Sequence, residues 1–248
     1  MRFSRYDVAI IKEHNITMKL FGGILLILGT CIGAGLLALP ISTATAGFAT
    51  SALLLLSLWI AMTAGAFLLL EVNLWLPENS NLISMARKTL GKSGAIITWI
   101  SYLLLLYALL CAYISTNSDI LSSLLSQVHL QIPLWVSAII IVAVLGYIVF
   151  RGISSVDIVN RGLMTTKIII YAALILAIAP HISLPRLTTV SSKIQISMIM
   201  VIITSFGYAI ILPSLRSYFK SDVRMLRRAI LIGSAIPLIF YILWIAVV

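Results

Sequence analysis

Seven long apolar stretches constrain what this chain can fold into. They lie at about 20–40, 47–74, 95–125, 133–149, 162–179, 194–215 and 229–248, with short polar segments between them. About 20 helical residues cross a hydrocarbon core about 30 Å thick. Peptide groups at that depth have no water to bond, so such runs become α-helices, which satisfy their own backbone. The third run is long enough to tilt, and the fourth is short. Composition agrees: 61% of residues are hydrophobic and 10% charged, against roughly 25% charged in a soluble domain. A mean hydropathy of +1.14 leaves more apolar surface than the chain could bury in itself, so lipid must cover the rest. The fold class expected is all-α: a polytopic membrane protein of about seven transmembrane helices.

A sequence pI of 9.9 would point to nucleic acid in a soluble protein. Here the positive charge sits in the short segments between runs, so no nucleic-acid partner is expected. The charge reports orientation instead, because cytoplasmic segments hold the excess of Lys and Arg. Arg2, Arg5, Lys12, Lys19, Arg87, Lys88, Lys92, Arg151, Arg161, Lys167, Arg216, Lys220, Arg224, Arg227 and Arg228 fall on the N-terminal side, and only Arg186 and Lys193 on the other. Residues 1–19 are therefore expected to be a cytoplasmic segment, with Val248 outside. The first run is too long and glycine-broken for the h-region of a cleaved signal peptide, and it reads as an uncleaved anchor. Residues 75–94 read as a cytoplasmic loop with a short amphipathic helix, about Asn81–Leu90, lying at the interface.

The first run carries Gly29-Thr30-Cys31-Ile32-Gly33-Ala34-Gly35. Each glycine costs about 1 kcal/mol in a helix interior relative to alanine. Irregular backbone at membrane depth persists only where protein buries it or where it lines a cavity. Carriers use such breaks to hold a substrate with bare peptide groups near the midplane. A second break is expected in the sixth run, at Thr204-Ser205-Phe206-Gly207-Tyr208. Each break is followed by a proline, Pro40 and Pro213, and the two runs cross the membrane in opposite senses. That is the pattern of an inverted repeat of five helices. The alternative for both is that the glycines only let helices pack closely.

The residues around both breaks resemble a known family. Gly29 through Pro40, Leu69-Leu70-Glu71-Val72, Tyr107-Ala108-Leu109, Ala112-Tyr113-Ile114-Ser115 and Lys167-Ile168-Ile169 carry the likeness in one collinear order. It continues through Thr204-Ser205-Phe206-Gly207, Pro213-Ser214 and Ile232-Gly233-Ser234-Ala235-Ile236-Pro237-Leu238. From Lys19 onward the chain is similar to the hydroxy/aromatic amino acid permeases, bacterial carriers for tyrosine and tryptophan in the amino acid–polyamine–organocation superfamily. The resemblance implies the leucine-transporter-like inverted-repeat fold. Residues 20–179 would be its first five-helix repeat, and 194–248 the first two helices of a second, incomplete repeat lacking its C-terminal helices. It also implies uptake of tyrosine or tryptophan across the bacterial inner membrane by proton symport. One departure follows Phe206-Gly207: the family pattern has a histidine and a glycine where this chain has Tyr208-Ala209-Ile210-Ile211. Substrate preference does not carry over at that point. A competing expectation is an N-terminal fragment of an interrupted permease gene that does not transport alone, or one half of a split transporter paired with a separately encoded remainder.

The chemistry of the breaks gives candidate binding groups. A zwitterion needs donors for its carboxylate and acceptors for its ammonium, without an unpaired protein charge. A half-helix starting after the first break offers free N–H groups and the positive end of its dipole. The amides of Ile32, Gly33, Ala34 and Gly35 are expected to face the carboxylate, with glycine allowing close approach. Carbonyls of Gly29, Thr30, Thr204 and Phe206 are the expected partners of the ammonium. Phe206 and Tyr208, on either side of Gly207, either stack on an aromatic substrate or serve packing alone. Tyr107 and Tyr113 face different sides of the third helix; one could bond the substrate while the other packs or anchors at an interface.

Ionisable residues at membrane depth are functional candidates by default. Lys167 lies about 9 Å deeper than Arg161 along a helix. The resemblance implies a proton-coupling role for it, because some superfamily members are thought to place a fifth-helix lysine where sodium-coupled relatives bind the ion. The alternative is a lysine snorkelling to the interface. Glu71 is the second proton candidate, its alternative being an interfacial carboxylate paired with a basic residue; Asp119 is weaker. Cys31 and Cys111 both fall within apolar runs, so no disulfide, metal or other cofactor is indicated. His14, His129 and His181 fall in tails or loops, and no spaced set of His, Asp and Glu exists, so an enzyme is not expected. Nor is a channel, for lack of a repeated filter or ring of charge.

Overall fold

The computed structural model describes residues 5–33, 35–43, 46–78, 80–178 and 194–247, and every regular element among them is helical. In chain order these are α1 (Arg5–Cys31), α2 (Gly35–Thr43), α3 (Phe48–Leu74), α4 (Leu82–Gln127), α5 (Leu134–Phe150) and α6 (Ile153–Ile178). After them come α7 (Ile196–Ser205), a 3-10 turn (Gly207–Ile211), α8 (Leu212–Tyr218) and α9 (Val223–Val247).

Local chemistry explains the boundaries. Gly47, at φ 75°, turns the chain into α3. Asn81 caps α4, its side-chain oxygen accepting the Ser84 N–H at 2.8 Å. Asp222 caps α9 by accepting the N–H groups of Arg224 and Met225 at 3.0 and 3.1 Å. These are N-cap bonds that satisfy otherwise orphaned donors. His129 at φ 62° ends α4 in a left-handed residue. The N–H of Leu130 bonds the Leu125 carbonyl and that of His129 the Ser126 carbonyl, the two bonds of a Schellman motif. Lys220 closes α8 in the same way, with Ser221 N–H on Arg216 O and Lys220 N–H on Ser217 O. Inside α4, Gly91 takes φ 74° and ψ −164°, so the short helix expected at about Asn81–Leu90 is present and breaks off there from the long helix beyond.

Among the described residues, four stretches are long and apolar enough to cross a membrane: Phe48–Leu74, Leu82–Gln127, Ile196–Tyr218 and Val223–Ala246. The chain is thus a multi-pass helical membrane protein. Shorter apolar helices among the described residues are Thr17–Cys31, within α1, and Leu134–Phe150, which is α5. α1 runs unbroken from Arg5 through the expected start of the first run at residue 20. Arg186, Lys193 and His181 lie outside the described residues.

The chain divides into two compact units. The first comprises residues 1–85 and 171–248. In it α9 packs on α1 and α3, and α2 packs on α7. Ile27, Leu55, Leu70, Met198, Ile202 and Leu212 are fully buried there. Small residues let the helices close: a Cβ on Gly233 would stand 2.9 Å from the Ile27 Cβ, and one on Gly23 would meet the Phe219 ring. Trp59 Nε1–H donates to Ser234 Oγ at 3.2 Å, tying α3 to α9. The second unit, residues 86–170, holds most of α4, α5 and the start of α6. Its side chains are largely apolar and exposed, Leu104, Ile139 and Phe150 among them, as helices facing lipid require.

Candidate functional site

At the first break α1 ends on Cys31 and α2 begins at Gly35. Ile32 N–H still bonds the Leu28 carbonyl at 2.8 Å, and Gly33 N–H folds back onto the Cys31 carbonyl at 2.8 Å. That second bond skips one residue, the pattern of a γ-turn. At the second break α7 ends on Ser205. Phe206 N–H is shared between the Ile202 and Ile203 carbonyls at 3.3 and 3.2 Å, and the chain then tightens into the 3-10 turn before Pro213 starts α8.

The two breaks meet. α2 lies against α7, and α1 against the 3-10 turn. Gly35 is where they come closest: a Cβ there would collide with Ser205 Oγ, and would stand 2.6 Å from Ser205 Cβ and 2.8 Å from Tyr241 Oη. Tyr241, from α9, is fully buried at this junction. Its hydroxyl donates to the Cys31 carbonyl at 2.6 Å. Its ring meets that of Phe206 edge-on, with centroids 5.7 Å apart at 74°. One side chain thereby touches both breaks. Beside it Tyr208 is fully buried, its hydroxyl donating to Thr63 Oγ1 on α3 at 3.0 Å.

The sequence-derived candidates of the first unit, Gly29, Thr30, Ile32, Gly33, Gly35, Thr204, Phe206, Gly207 and Tyr208, all lie on the elements that form this junction; Ala34 is outside the described residues. Two details differ from expectation. The amides of Ile32 and Gly33 are already bonded within the break, because the chain closes its own turn there before entering α2. Phe206 and Tyr208 turn into the core instead of presenting open faces, since Tyr241 and Thr63 supply their partners. Both threonine hydroxyls bond back to their own helices, Thr30 to Leu26 O at 2.8 Å and Thr204 to Met200 O at 2.9 Å. A Cβ on Gly207 would meet no described atom within 4 Å.

Among the other candidates, Tyr107 and Tyr113 are exposed on α4 and Lys167 is half-buried on α6, all three in the second unit. Glu71 is exposed near the end of α3, where with Phe67, Leu68, Leu70, Leu74 and Arg227 it lines an open groove of about 400 Å³.

Sequence reasoning missed Tyr241, Ser205 and a buried cation, Arg216. The Arg216 guanidinium donates to the Leu76 carbonyl at 2.9 Å, to the Asn73 carbonyl, and through Nε to Ser221 Oγ at 3.1 Å. Ser221 in turn donates to Glu78 at 2.7 Å. Arg216 so caps the carbonyl end of α3, where a cation is favoured by the helix dipole, and fastens α8 to it. No metal-ligand cluster occurs among the described residues.

The two interrupted helices of this helical membrane protein thus meet across one tyrosine. The chain belongs to the tryptophan/tyrosine permease family, whose model matches residues 16–248. It is 36% identical over 228 residues to "Tyrosine-specific transport system 1" of Haemophilus influenzae, covering 91% of this chain and 56% of that protein. It is also 36% identical to "Tyrosine-specific transport system 2" of the same organism, over 91% of this chain and 57% of the relative. "Glutamine transporter 2" of Aliivibrio fischeri is 30% identical over 91% of this chain and 59% of its own length. The chain thus spans a little over half the length of the curated relatives it matches. No solved structure matches it.

Proposed function

We propose that these residues form the first part of a proton-coupled carrier that brings an aromatic amino acid, tyrosine or tryptophan, across the bacterial inner membrane. The observation that carries the reading is the meeting of the two helix breaks at Gly35, Ser205 and Tyr241. The relatives' names support the substrate class. In this reading the chain enters the membrane seven times with its N-terminus inside, as the Lys and Arg distribution favours. The first five spans make one repeat and the last two begin its inverted partner in a leucine-transporter-like fold.

The substrate carboxylate sits at the N-terminus of α2, where the amide of Gly35 replaces the occupied amides of Ile32 and Gly33 as donor. The ammonium finds carbonyls of Gly29, Thr30, Thr204 or Phe206. The side chain extends toward the space beside Gly207, next to Phe206 and Tyr208. Lys167 and Glu71 carry the proton. In a second reading these residues insert and fold, yet move substrate only together with the further length that their relatives carry.

Uptake of radiolabelled tyrosine and tryptophan tests both, in a bacterial strain lacking its own aromatic permeases. The chain is expressed alone and together with the C-terminal portion of a relative. Uptake in either case that a protonophore abolishes and Gly33→Leu removes supports the carrier. Uptake only with the added portion selects the second reading. Lys167→Gln that leaves proton-dependent uptake intact removes that residue from the coupling.

A further inference from the structure

The Cys31 carbonyl is the last of a helix that runs from Arg5, so it stands at the negative end of that helix's dipole, where a cation is favoured. Both its acceptor positions are taken. One holds the Gly33 N–H at 2.8 Å and the other the Tyr241 hydroxyl at 2.6 Å. The Gly33 bond is local and belongs to the turn. The tyrosine bond joins residues 210 positions apart, and its donor is neutral.

Tyr241 also touches both breaks, through Cys31 and through the Phe206 ring. Ser205 Oγ lies at the same point of closest approach, within reach of a Cβ that would also stand 2.8 Å from Tyr241 Oη. The Ser205 hydroxyl now donates to the Val201 carbonyl at 2.6 Å, which leaves the oxygen's acceptor capacity for a displaced phenol.

From this geometry we infer that Tyr241 is a positioning residue whose hydroxyl holds, in the ligand-free chain, the acceptor position on the Cys31 carbonyl that the substrate's ammonium takes on binding. The inference rests on the carrier reading and deepens it by naming a carbonyl that reading did not assign. The ammonium brings a full charge to a helix C-terminus that the phenol serves only as a dipole, so exchange favours the substrate. The released phenol turns toward Ser205, its ring leaves the edge of Phe206, and the two breaks are uncoupled. Tyr241 thereby makes the separation of the breaks conditional on a ligand with a protonated amine.

The consequence is a sign. Removing the hydroxyl leaves the Cys31 carbonyl short of a donor in the free protein, and that deficit is made good by ligand. Tyr241→Phe should therefore tighten L-tyrosine binding roughly three- to tenfold, the ratio one hydrogen bond commands. The deaminated analogue 3-(4-hydroxyphenyl)propionate, lacking the ammonium, should bind the variant and the native chain equally. Scintillation-proximity binding on the purified protein reads both. Unchanged tyrosine affinity, or equal weakening of tyrosine and the analogue, overturns the inference.

A second measurement needs no ligand. With Cys111→Ser, Cys31 is the only thiol in the chain, and it is buried. Adding Tyr241→Phe should then speed its alkylation by maleimide several-fold, because opening of a buried site governs such labelling. An unchanged rate overturns the inference by itself. A native chain that binds neither tyrosine nor tryptophan overturns the carrier reading and the ammonium exchange together, while the thiol rate still reports whether the tether exists.

Discussion

Gly35→Ala should destabilise the protein, although helix propensity alone predicts the reverse. Alanine gains up to about 1 kcal/mol over glycine inside a helix, and less at Gly35, which is the first residue of α2. Against this, the new methyl would collide with Ser205 Oγ, and would stand 2.6 Å from Ser205 Cβ and 2.8 Å from Tyr241 Oη. Overpacking of that kind costs about 1–3 kcal/mol. Displacing the tyrosine also loses its bond to Cys31, worth about 0.5–1.5 kcal/mol. The net is a loss of about 2 kcal/mol, or a Tm lower by about 4–8 °C for a chain of this size. Gly65→Ala is the control. It lies in α3 with nothing within 4 Å of its added methyl, so propensity acts alone and Tm should rise by about 2–4 °C. Ser205→Gly removes two of the three contacts, so the double variant Gly35→Ala/Ser205→Gly should recover at least about 1 kcal/mol of the loss, within the usual range for touching residues. Thermal unfolding of the detergent-purified protein, followed by tryptophan fluorescence, measures all four. If Gly35→Ala matched or exceeded the wild-type Tm while Gly65→Ala rose as expected, the breaks would not be packed against each other as described.

Tyr208→Phe removes a buried hydrogen bond to Thr63 and should lower Tm by about 2–4 °C, near 1 kcal/mol; adding Thr63→Val should cost little more, since the partner is already gone. Arg216→Met leaves the Leu76 carbonyl without its charged donor and should cost about 2 kcal/mol, with faster proteolysis in the turn after α3. Arg216→Lys should not restore it, because one ammonium cannot reproduce the planar fork that serves α3 and Ser221 together. A phosphatase fused after Lys92 should be inactive if that segment is cytoplasmic, and an active fusion would reverse the orientation.

The helices were legible because apolar length and charge gaps are one-dimensional properties. α3 and α5 fall within one residue of the runs at 47–74 and 133–149, and α9 starts at Val223, ahead of the run at 229–248. The first break was legible in existence and less so in position. Gly29 and Thr30 stay inside α1, where the Thr30 hydroxyl bonds the Leu26 carbonyl, and the helix absorbs one glycine before yielding at Ile32. The partners that define the junction were not legible. Tyr241 and Cys31 are 210 residues apart, and Arg216 and Asn73 are separated by 143. No spacing rule links such pairs, and a tyrosine inside an apolar run looks the same whether it packs or bonds. Arg216 looked like one more cation at a cytoplasmic helix end until its neighbours were known.

The two glycine breaks, alike in sequence, differ physically in what the missing side chain permits. At Gly35 the space is filled by Ser205 and Tyr241, so glycine there serves contact between protein groups. At Gly207 no described atom lies within 4 Å of the position a Cβ would take, and φ there is not in the left-handed range, so neither packing nor backbone conformation demands glycine. What its absent side chain leaves is room. Contact between the breaks thus requires the first glycine and not the second, and in the carrier reading proposed above the room at Gly207 is what a ligand beside the junction would use.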